Sequence, residues 1–205
     1  MKISLTDAGK RYNRDWIFRH FTYTFHAGTA YAITGPNGSG KSTLLQAISG
    51  SMLINEGNVQ YAIDNVLCPV EEIYRHVSIC APYLEVVEEM TLREFLDFHH
   101  GFKPFLPGIT TGNIIASLGL EKAANKQIRY YSSGMKQRVK LAQCIFSDTP
   151  VVLLDEPCTN LDTDGVALYH RLIADYCHER LVLVSSNDEV EYRFCNEKIN
   201  IADWK

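Results

Sequence analysis

Short apolar runs alternate with stretches of helical periodicity along the chain. The runs at 29–34, 151–154 and 181–184 consist almost entirely of apolar and β-prone residues, which is typical of strands that are buried on both faces. Residues 41–49 instead repeat apolar positions at the spacing of a helix, and Gly50 is a typical helix end. This alternation predicts an α/β fold with a mainly parallel sheet.

The middle of the chain has a different pattern. Thr91 and Glu94 have the spacing of a capping box, and apolar residues at helical spacing follow them. A loop rich in Pro and Gly comes next, and two further helical patterns lie beyond it. We therefore expect a helical subdomain at about 84–145, inserted between the two parts of an α/β core, 1–83 and 146–205.

Composition and charge narrow the class of protein. Of the 205 residues, 46% are hydrophobic and 21% are charged, as in folded globular proteins. The length suits a single domain, 1–205, that carries an inserted lobe. The net charge of −4 argues against a protein that binds mainly nucleic-acid phosphates, so we expect no nucleic-acid partner. No segment approaches the roughly 20 apolar residues that cross a bilayer, and the N-terminus lacks the pattern of a signal peptide.

A glycine-rich motif between a predicted strand and a predicted helix carries the first chemistry. Its residues match G-x-x-x-x-G-K-[ST], the P-loop: Gly35, Pro36, Asn37, Gly38, Ser39, Gly40, Lys41 and Ser42. Loop amides and the helix N-terminus point at phosphate oxygens in such a motif. Lys41, which we expect to be a surface residue, supplies charge to the β and γ phosphates. The Ser42 hydroxyl is suited to Mg²⁺, and Thr43 adds a phosphate contact.

A pair of carboxylates fits this site. Asp155 and Glu156 directly follow the apolar run 151–154. A buried strand that ends in aspartate brings its carboxylate to the Mg²⁺ beside the P-loop. The adjacent Glu156 is placed to orient and deprotonate a water for attack on the γ-phosphate.

At these residues the chain resembles the ATP-binding-cassette (ABC) ATPases. Residues 132–138, SSGMKQR, resemble the family signature L-S-G-G-Q, and residues 155–162, DEPCTNLD, resemble the Walker B element and the D-loop. The resemblance implies a P-loop NTPase core with an N-terminal antiparallel β portion and an inserted helical lobe. It implies ATP and Mg²⁺ as cofactors, and a head-to-tail homodimer in which each signature completes the partner's ATP site. The residues that it assigns are Ser132, Ser133, Gly134 and Met135 of the signature, Asp162 of the D-loop, and Tyr12 stacked on adenine.

The sequence departs from the family pattern in three places. The signature has Tyr131, Ser133 and Met135 where Leu, Gly and Gln are usual. The Q-loop glutamine is replaced by Pro82 or Tyr83, and the switch histidine by Ser186 or Asn187. Neither of the last two carries the charge that a histidine lends near the γ-phosphate. We expect ATP hydrolysis by Glu156 and Lys41, at a slow rate.

The resemblance implies the ATPase subunit of a membrane ABC transporter. Such a subunit powers a separate permease and is cytoplasmic, bound peripherally at the inner face of the cell membrane. The small size resembles compact ATPase subunits, including those of the cytochrome c-haem exporter type. Two alternatives remain: a degenerate cassette that binds ATP with little turnover, and a soluble ABC protein of translation or DNA repair.

Overall fold

The computed structural model describes residues 1–205, which form two compact units. The first unit contains 1–79, 150–155 and 179–205, and the second contains 80–149 and 156–178. In chain order the strands are β1 (Lys2–Tyr12), β2 (Asp15–His26), β3 (Ala30–Thr34), β4 (Glu56–Ile63), β5 (Val66–Cys68), β6 (Val77–Cys80), β7 (Val151–Asp155), β8 (Leu181–Ser185) and β9 (Glu197–Asn200). The helices are α1 (Lys41–Ile48), α2 (Leu92–Phe102), α3 (Thr111–Leu118), α4 (Ser133–Ile145), α5 (Thr163–Tyr176) and α6 (Glu189–Tyr192).

The first unit contains an antiparallel sheet in the order β2-β1-β4-β5. A two-residue turn joins β1 to β2, and its Asn13 has a positive φ of 54°, a conformation that asparagine adopts more readily than most residues. Asp64 and Asn65, both with positive φ, form the equivalent turn between β4 and β5. This sheet confirms the antiparallel β portion that the resemblance implies.

A second sheet of five strands, in the order β6-β7-β8-β3-β9, forms the centre of the first unit. The pairs β7/β8, β8/β3 and β3/β9 are parallel, which confirms the predicted mainly parallel core. Every residue of β7 and β8 is buried, because a parallel sheet is covered on both faces. Both strands run one residue beyond the apolar runs, so β7 ends at Asp155 and β8 at Ser185. Helix α1 packs against these two strands.

The second unit is helical, and side-chain caps fix where its helices begin. Thr91 and Glu94 form the predicted capping box at α2. Thr110 and Asn113 form another at α3, so α3 begins inside the predicted loop. Helix α5 packs against α4, and the second unit therefore includes residues 156–178, beyond the expected limit at 145. No helix of the chain is both long enough and apolar enough for a membrane crossing.

Candidate functional site

The P-loop, residues 35–42, connects the end of β3 to the first turn of α1. Gly40 is the N-cap of α1 and has a φ of 105°, a conformation that residues with a side chain rarely adopt. A β-carbon on Gly40 would also run into the Ile17 side chain of β2. Glycine is therefore required at this position for two reasons, and the loop lies where the motif predicts, between a strand and a helix.

Lys41 occupies a different environment from the one that the sequence predicts. Its residue surface is 6% exposed, so the expectation of a surface lysine is wrong. The side chain folds back under the loop, where Nζ donates hydrogen bonds to the carbonyl oxygens of Gly35 at 2.8 Å and Pro36 at 3.3 Å. These two contacts hold a positive charge inside the curve of the loop, which suits the binding of an anion.

Three buried side-chain oxygens of the first unit have no hydrogen-bond partner. They belong to Ser39 in the P-loop, to Asp155 at the end of β7 and to Ser185 at the end of β8. Asp155 and Ser185 are directly paired across β7 and β8, and Ser185 is paired with Ile33 of β3, the strand that leads to the P-loop. Buried polar groups without partners are costly. A bound group that satisfies them, such as a hydrated cation with phosphate oxygens, fits this chemistry.

The remaining P-loop residues differ in exposure. Pro36, Asn37 and Gly38 are exposed, whereas Ser42 and Thr43 are half-buried in the first turn of α1. Tyr12 is exposed at the end of β1; its hydroxyl donates to Met52 Sδ at 3.4 Å, and Lys10 Nζ lies 5.3 Å from its ring centre. Its ring is accessible to a flat ligand, and the adenine contact remains a proposal.

The segment after β8 distinguishes the two residues that the sequence left as alternatives. Ser186 is buried, and its hydroxyl accepts a hydrogen bond from the Asp188 backbone N–H at 2.9 Å. Asn187 is exposed, and its Nδ2 donates to Asn37 Oδ1 of the P-loop at 2.8 Å. Asn187 is therefore the residue of this pair whose side chain contacts the P-loop.

Glu156 directly follows Asp155, and the two residues differ sharply. Asp155 is 2% exposed, whereas Glu156 is exposed and has a φ of 44°. A left-handed conformation at a non-glycine residue is uncommon and often accompanies function.

Pro82 and Tyr83, the two alternatives for the Q-loop position, are both exposed. The Pro82 carbonyl oxygen accepts a hydrogen bond from Lys140 Nζ at 3.1 Å.

The predicted signature forms the N-terminus of α4. Ser132 is the N-cap, and its hydroxyl accepts a hydrogen bond from the Met135 backbone N–H at 3.3 Å. Ser132 and Ser133 are exposed, while Gly134 and Met135 are half-buried. A β-carbon on Gly134 would lie 3.0 Å from the Asn160 carbonyl oxygen, so the second glycine of the signature is needed there for close packing. The exposed Ser133 replaces the first.

Asp162 of the predicted D-loop is the N-cap of α5. Its Oδ1 accepts a hydrogen bond from the Gly165 backbone N–H at 2.8 Å and one from Arg138 Nη2 of α4 at 3.2 Å. The Gly165 bond, with a smaller effect of Arg138, lowers the pKa of Asp162 below its ordinary value. Gln137 of α4 is buried and donates to the Pro157 carbonyl oxygen at 2.7 Å. Pro157 and Asp162, which follow Asp155, are thus hydrogen-bonded to α4, the helix that begins at the signature.

Sequence reasoning missed the position of Ser185 at the end of β8 and one contact of the P-loop. Ser185 lay beyond the predicted strand, although a serine directly after an apolar run was the available signal. Nothing in the sequence indicated the contact between Asn37 and Asn187, because the residues are far apart in the chain.

The P-loop follows β3, and Asp155 lies on a nearby strand of the same parallel sheet. This arrangement defines a P-loop nucleotide-binding protein of the α/β class.

Comparison with known proteins assigns the family. The chain belongs to the ABC transporter family, whose sequence profile matches residues 18–159, more than half of the chain. It is 32% identical over 207 residues to the thiamine import ATP-binding protein ThiQ of Salmonella choleraesuis, covering 93% of this chain and 85% of ThiQ. It is 31% identical over 157 residues to the cytochrome c biogenesis ATP-binding export protein CcmA of Xylella fastidiosa, covering 76% of this chain and 70% of CcmA.

A solved structure has the same fold. The dimeric structure of MJ0796, a bacterial ABC transporter cassette, superimposes with a TM-score of 0.81 at 22% identity, and the match covers 98% of this chain and 95% of that one. The predicted P-loop NTPase core is therefore confirmed. The family match and the relatives above 30% identity confirm the resemblance to ABC ATPases, and the chain is an ATP-binding component of the ABC transporter type.

Proposed function

We propose that this chain binds and hydrolyses MgATP as the ATPase subunit of a membrane ABC transporter. Two observations in the first unit support the site best: Lys41 is buried inside the P-loop, and buried oxygens of Ser39 and Asp155 have no hydrogen-bond partner. We assign Ser42 and Asp155 to Mg²⁺ and the loop from Gly35 to Thr43 to the phosphates. When bound, the ion neutralises charge on the β and γ phosphates.

We assign Glu156 the role of general base for the attacking water. A general base must present a free carboxylate at the end of the catalytic strand, and Glu156 is exposed directly after Asp155. Lys41, released from the Gly35 and Pro36 carbonyl oxygens, holds the γ-phosphate. Positions 82 and 83 hold proline and tyrosine where the family has the Q-loop glutamine, and position 187 holds asparagine in the region of the switch histidine. We therefore expect slow turnover. Release of phosphate from ATP and Mg²⁺ by the purified protein tests the assignment.

The exposed start of α4 supports a second part of the proposal. Ser132, Ser133 and the free N–H groups of a helix N-terminus form a surface that suits an anion. We propose that this surface contacts the ATP of a second copy, in a head-to-tail homodimer. The relative MJ0796 was solved as a dimer, which is consistent with this arrangement.

A Ser132→Arg variant tests the dimer. The substitution removes the N-cap hydroxyl, and the large arginine side chain fills the surface that we assign to the second copy. We therefore expect normal ATP binding but no ATP-driven dimer. Gel filtration with ATP and Mg²⁺, in a Glu156→Gln background that slows hydrolysis, measures the assembly. A Ser132→Thr variant keeps the cap and should still dimerise. A persistent dimer in Ser132→Arg would contradict the head-to-tail arrangement.

The permease is proposed to be a separate chain. None of the helices here is suited to cross a membrane, and the relatives ThiQ and CcmA are described as import and export ATP-binding proteins. We place the subunit at the cytoplasmic face of the cell membrane, docked through the helical subdomain expected at 84–145. Purification from detergent-solubilised membranes should yield a stoichiometric integral-membrane partner; recovery of the chain only from the soluble fraction would oppose this.

One observation favours a second candidate, a cassette that binds ATP with little turnover. The side chain in the region of the expected switch histidine is a neutral amide, Asn187, and it is bonded to Asn37 rather than free to contact phosphate. In this alternative, ATP binding serves to assemble a complex, and hydrolysis contributes little. The two candidates differ in whether phosphate release by the wild-type protein depends on Glu156.

An Asn187→His variant should respond to pH differently from the wild type. An ordinary histidine has a pKa of about 6.5 and is charged below it. At this exposed position we expect the charge to raise kcat by about 2- to 5-fold. The ratio of variant to wild-type kcat should therefore rise as pH falls from 8 to 5.5, and an Asn187→Gln control should give a flat ratio. A flat ratio for Asn187→His would place residue 187 away from the reacting phosphate.

A further inference from the structure

Ser185 is a buried polar residue to which the proposed reaction gives no role. It is 0% exposed at the end of β8, and its Oγ has no hydrogen-bond partner. Its direct neighbour across the strand pair is Asp155, whose Oδ1 is also buried and without a partner. Side chains of paired residues in adjacent strands point to the same face of the sheet. Two unsatisfied oxygens therefore share one face at the ends of neighbouring strands.

This arrangement is costly unless a third group completes it. A serine hydroxyl beside a carboxylate can donate to it directly, yet neither oxygen uses the other as a partner. An unpaired buried carboxylate oxygen is especially unfavourable. The third group must offer positive charge or a hydrogen-bond donor to the carboxylate oxygen, and a donor or an acceptor to the hydroxyl. A hydrated Mg²⁺ does so, because it coordinates one or two carboxylate oxygens and keeps several waters that donate hydrogen bonds.

The neighbouring strands connect this pair to the P-loop. Ser185 is also paired with Ile33, two residues before Gly35 on the chain. Another serine of the same sheet, Ser78 in β6, shows the usual situation. It is buried too, but its hydroxyl donates to the Val151 carbonyl oxygen at 3.3 Å and accepts from Arg180 at 3.4 Å. Ser185 therefore differs from the structural serine Ser78 because its buried hydroxyl has no hydrogen-bond partner, and this property indicates a ligand.

We infer that Ser185 positions the hydrated magnesium ion of the ATP site, acting beside Asp155. This inference rests on the proposed function, because it assumes that MgATP occupies the P-loop. The hydroxyl contributes an oxygen toward the ion or its water shell and takes no part in proton transfer. Ser185 consequently affects the contribution of Mg²⁺ to ATP binding and leaves the metal-free contacts of the P-loop unchanged.

The test compares three substitutions at position 185 in the full chain. Ser185→Thr keeps the hydroxyl, Ser185→Val has nearly the shape of threonine without it, and Ser185→Ala removes it with the least steric change. ATP affinity is measured by calorimetry in Mg²⁺ and again in EDTA. We expect Val and Ala to weaken ATP binding in Mg²⁺ by about 3- to 20-fold, with no change in EDTA. The Thr variant should behave as the wild type in both.

Thermal unfolding without metal or nucleotide gives a readout independent of activity. Removing an unsatisfied hydroxyl leaves no partner behind, so Ser185→Ala should unfold at the wild-type temperature or above it. The control Ser78→Ala loses two hydrogen bonds and should unfold at least about 2 °C lower. If Ser185→Ala instead destabilises the metal-free protein like Ser78→Ala and retains the full effect of Mg²⁺, the hydroxyl is structural and the inference is wrong.

Failure of the inference is distinguishable from failure of the proposed function. If the wild type binds ATP, Lys41→Met weakens that binding by about 10- to 100-fold as expected, and the Val and Thr variants at 185 bind equally well in Mg²⁺, only the role of Ser185 is rejected. If the wild type itself does not bind ATP, the assignment of the P-loop fails, and the inference fails with it.

Discussion

Replacing Glu156 by glutamine should lower the steady-state rate of ATP hydrolysis by about 10²- to 10³-fold. Glutamine has nearly the same size but cannot accept the proton of the attacking water. Glu156 is exposed and has a positive φ, and both residue types experience the same backbone strain there, so we expect little change in stability. Phosphate release with saturating ATP and Mg²⁺ measures the effect.

ATP affinity separates a lost base from a damaged site. Calorimetry on the Glu156→Gln variant should give an ATP affinity within about 3-fold of the wild type, because a base for the water contributes little to ground-state binding. Glu71→Gln, at an exposed glutamate of the first unit, serves as a matched control and should retain full activity. Equal hydrolysis rates for the wild type and Glu156→Gln would contradict the ATPase assignment and favour the binding-only cassette.

Lys41→Met should weaken ATP binding by about 10- to 100-fold and abolish measurable hydrolysis. A hydrogen bond to a charged group contributes about 1.5–3 kcal/mol, and each 1.4 kcal/mol is tenfold in affinity. Methionine is preferable to alanine because Lys41 is 6% exposed, and a long apolar side chain preserves the packing of its stem. Calorimetry with ATP and Mg²⁺ measures the loss of affinity.

The buried environment of Lys41 also predicts a small effect on stability. The Gly35 and Pro36 carbonyl oxygens lose the Nζ donor, which should lower the free energy of unfolding by about 1–2 kcal/mol in the nucleotide-free protein. Circular dichroism should still show a folded chain. Lys122→Met, at an exposed lysine of the second unit, should change neither affinity nor stability. Unchanged ATP binding in Lys41→Met would contradict the phosphate site.

Much of the fold follows from local patterns in the sequence. The apolar runs gave β3, β7 and β8 within one or two residues, because strands buried on both faces exclude polar residues. The capping box at Thr91 was also predictable, because a cap is formed by residues three positions apart. The start of α3 was not, since Thr110 and Asn113 form a cap in a stretch that Pro and Gly mark as a loop.

The candidate site divides in the same way. The P-loop and the pair of Asp155 and Glu156 are contiguous motifs, so residue type and spacing were enough to propose them for a phosphate site. The choice between Ser186 and Asn187 did not follow, because it depends on a contact between Asn187 and a residue 150 positions away. The roles of the P-loop residues, Asp155 and Glu156 in an ATP site remain proposals, as do those of Tyr12, the signature residues and Asp162 as ATP contacts.

The sequence by itself determined the class of protein. A phosphate loop requires glycines, a lysine and a hydroxyl within one short segment, so the motif can be read from contiguous residues. Only the tertiary structure decided how those residues are held. It buried Lys41 under two carbonyl oxygens, joined Asp162 to Arg138, and left Asp155 and Ser185 paired across two strands without partners. Burial and hydrogen bonding depend on which distant segments pack together, and a linear pattern carries no record of that packing.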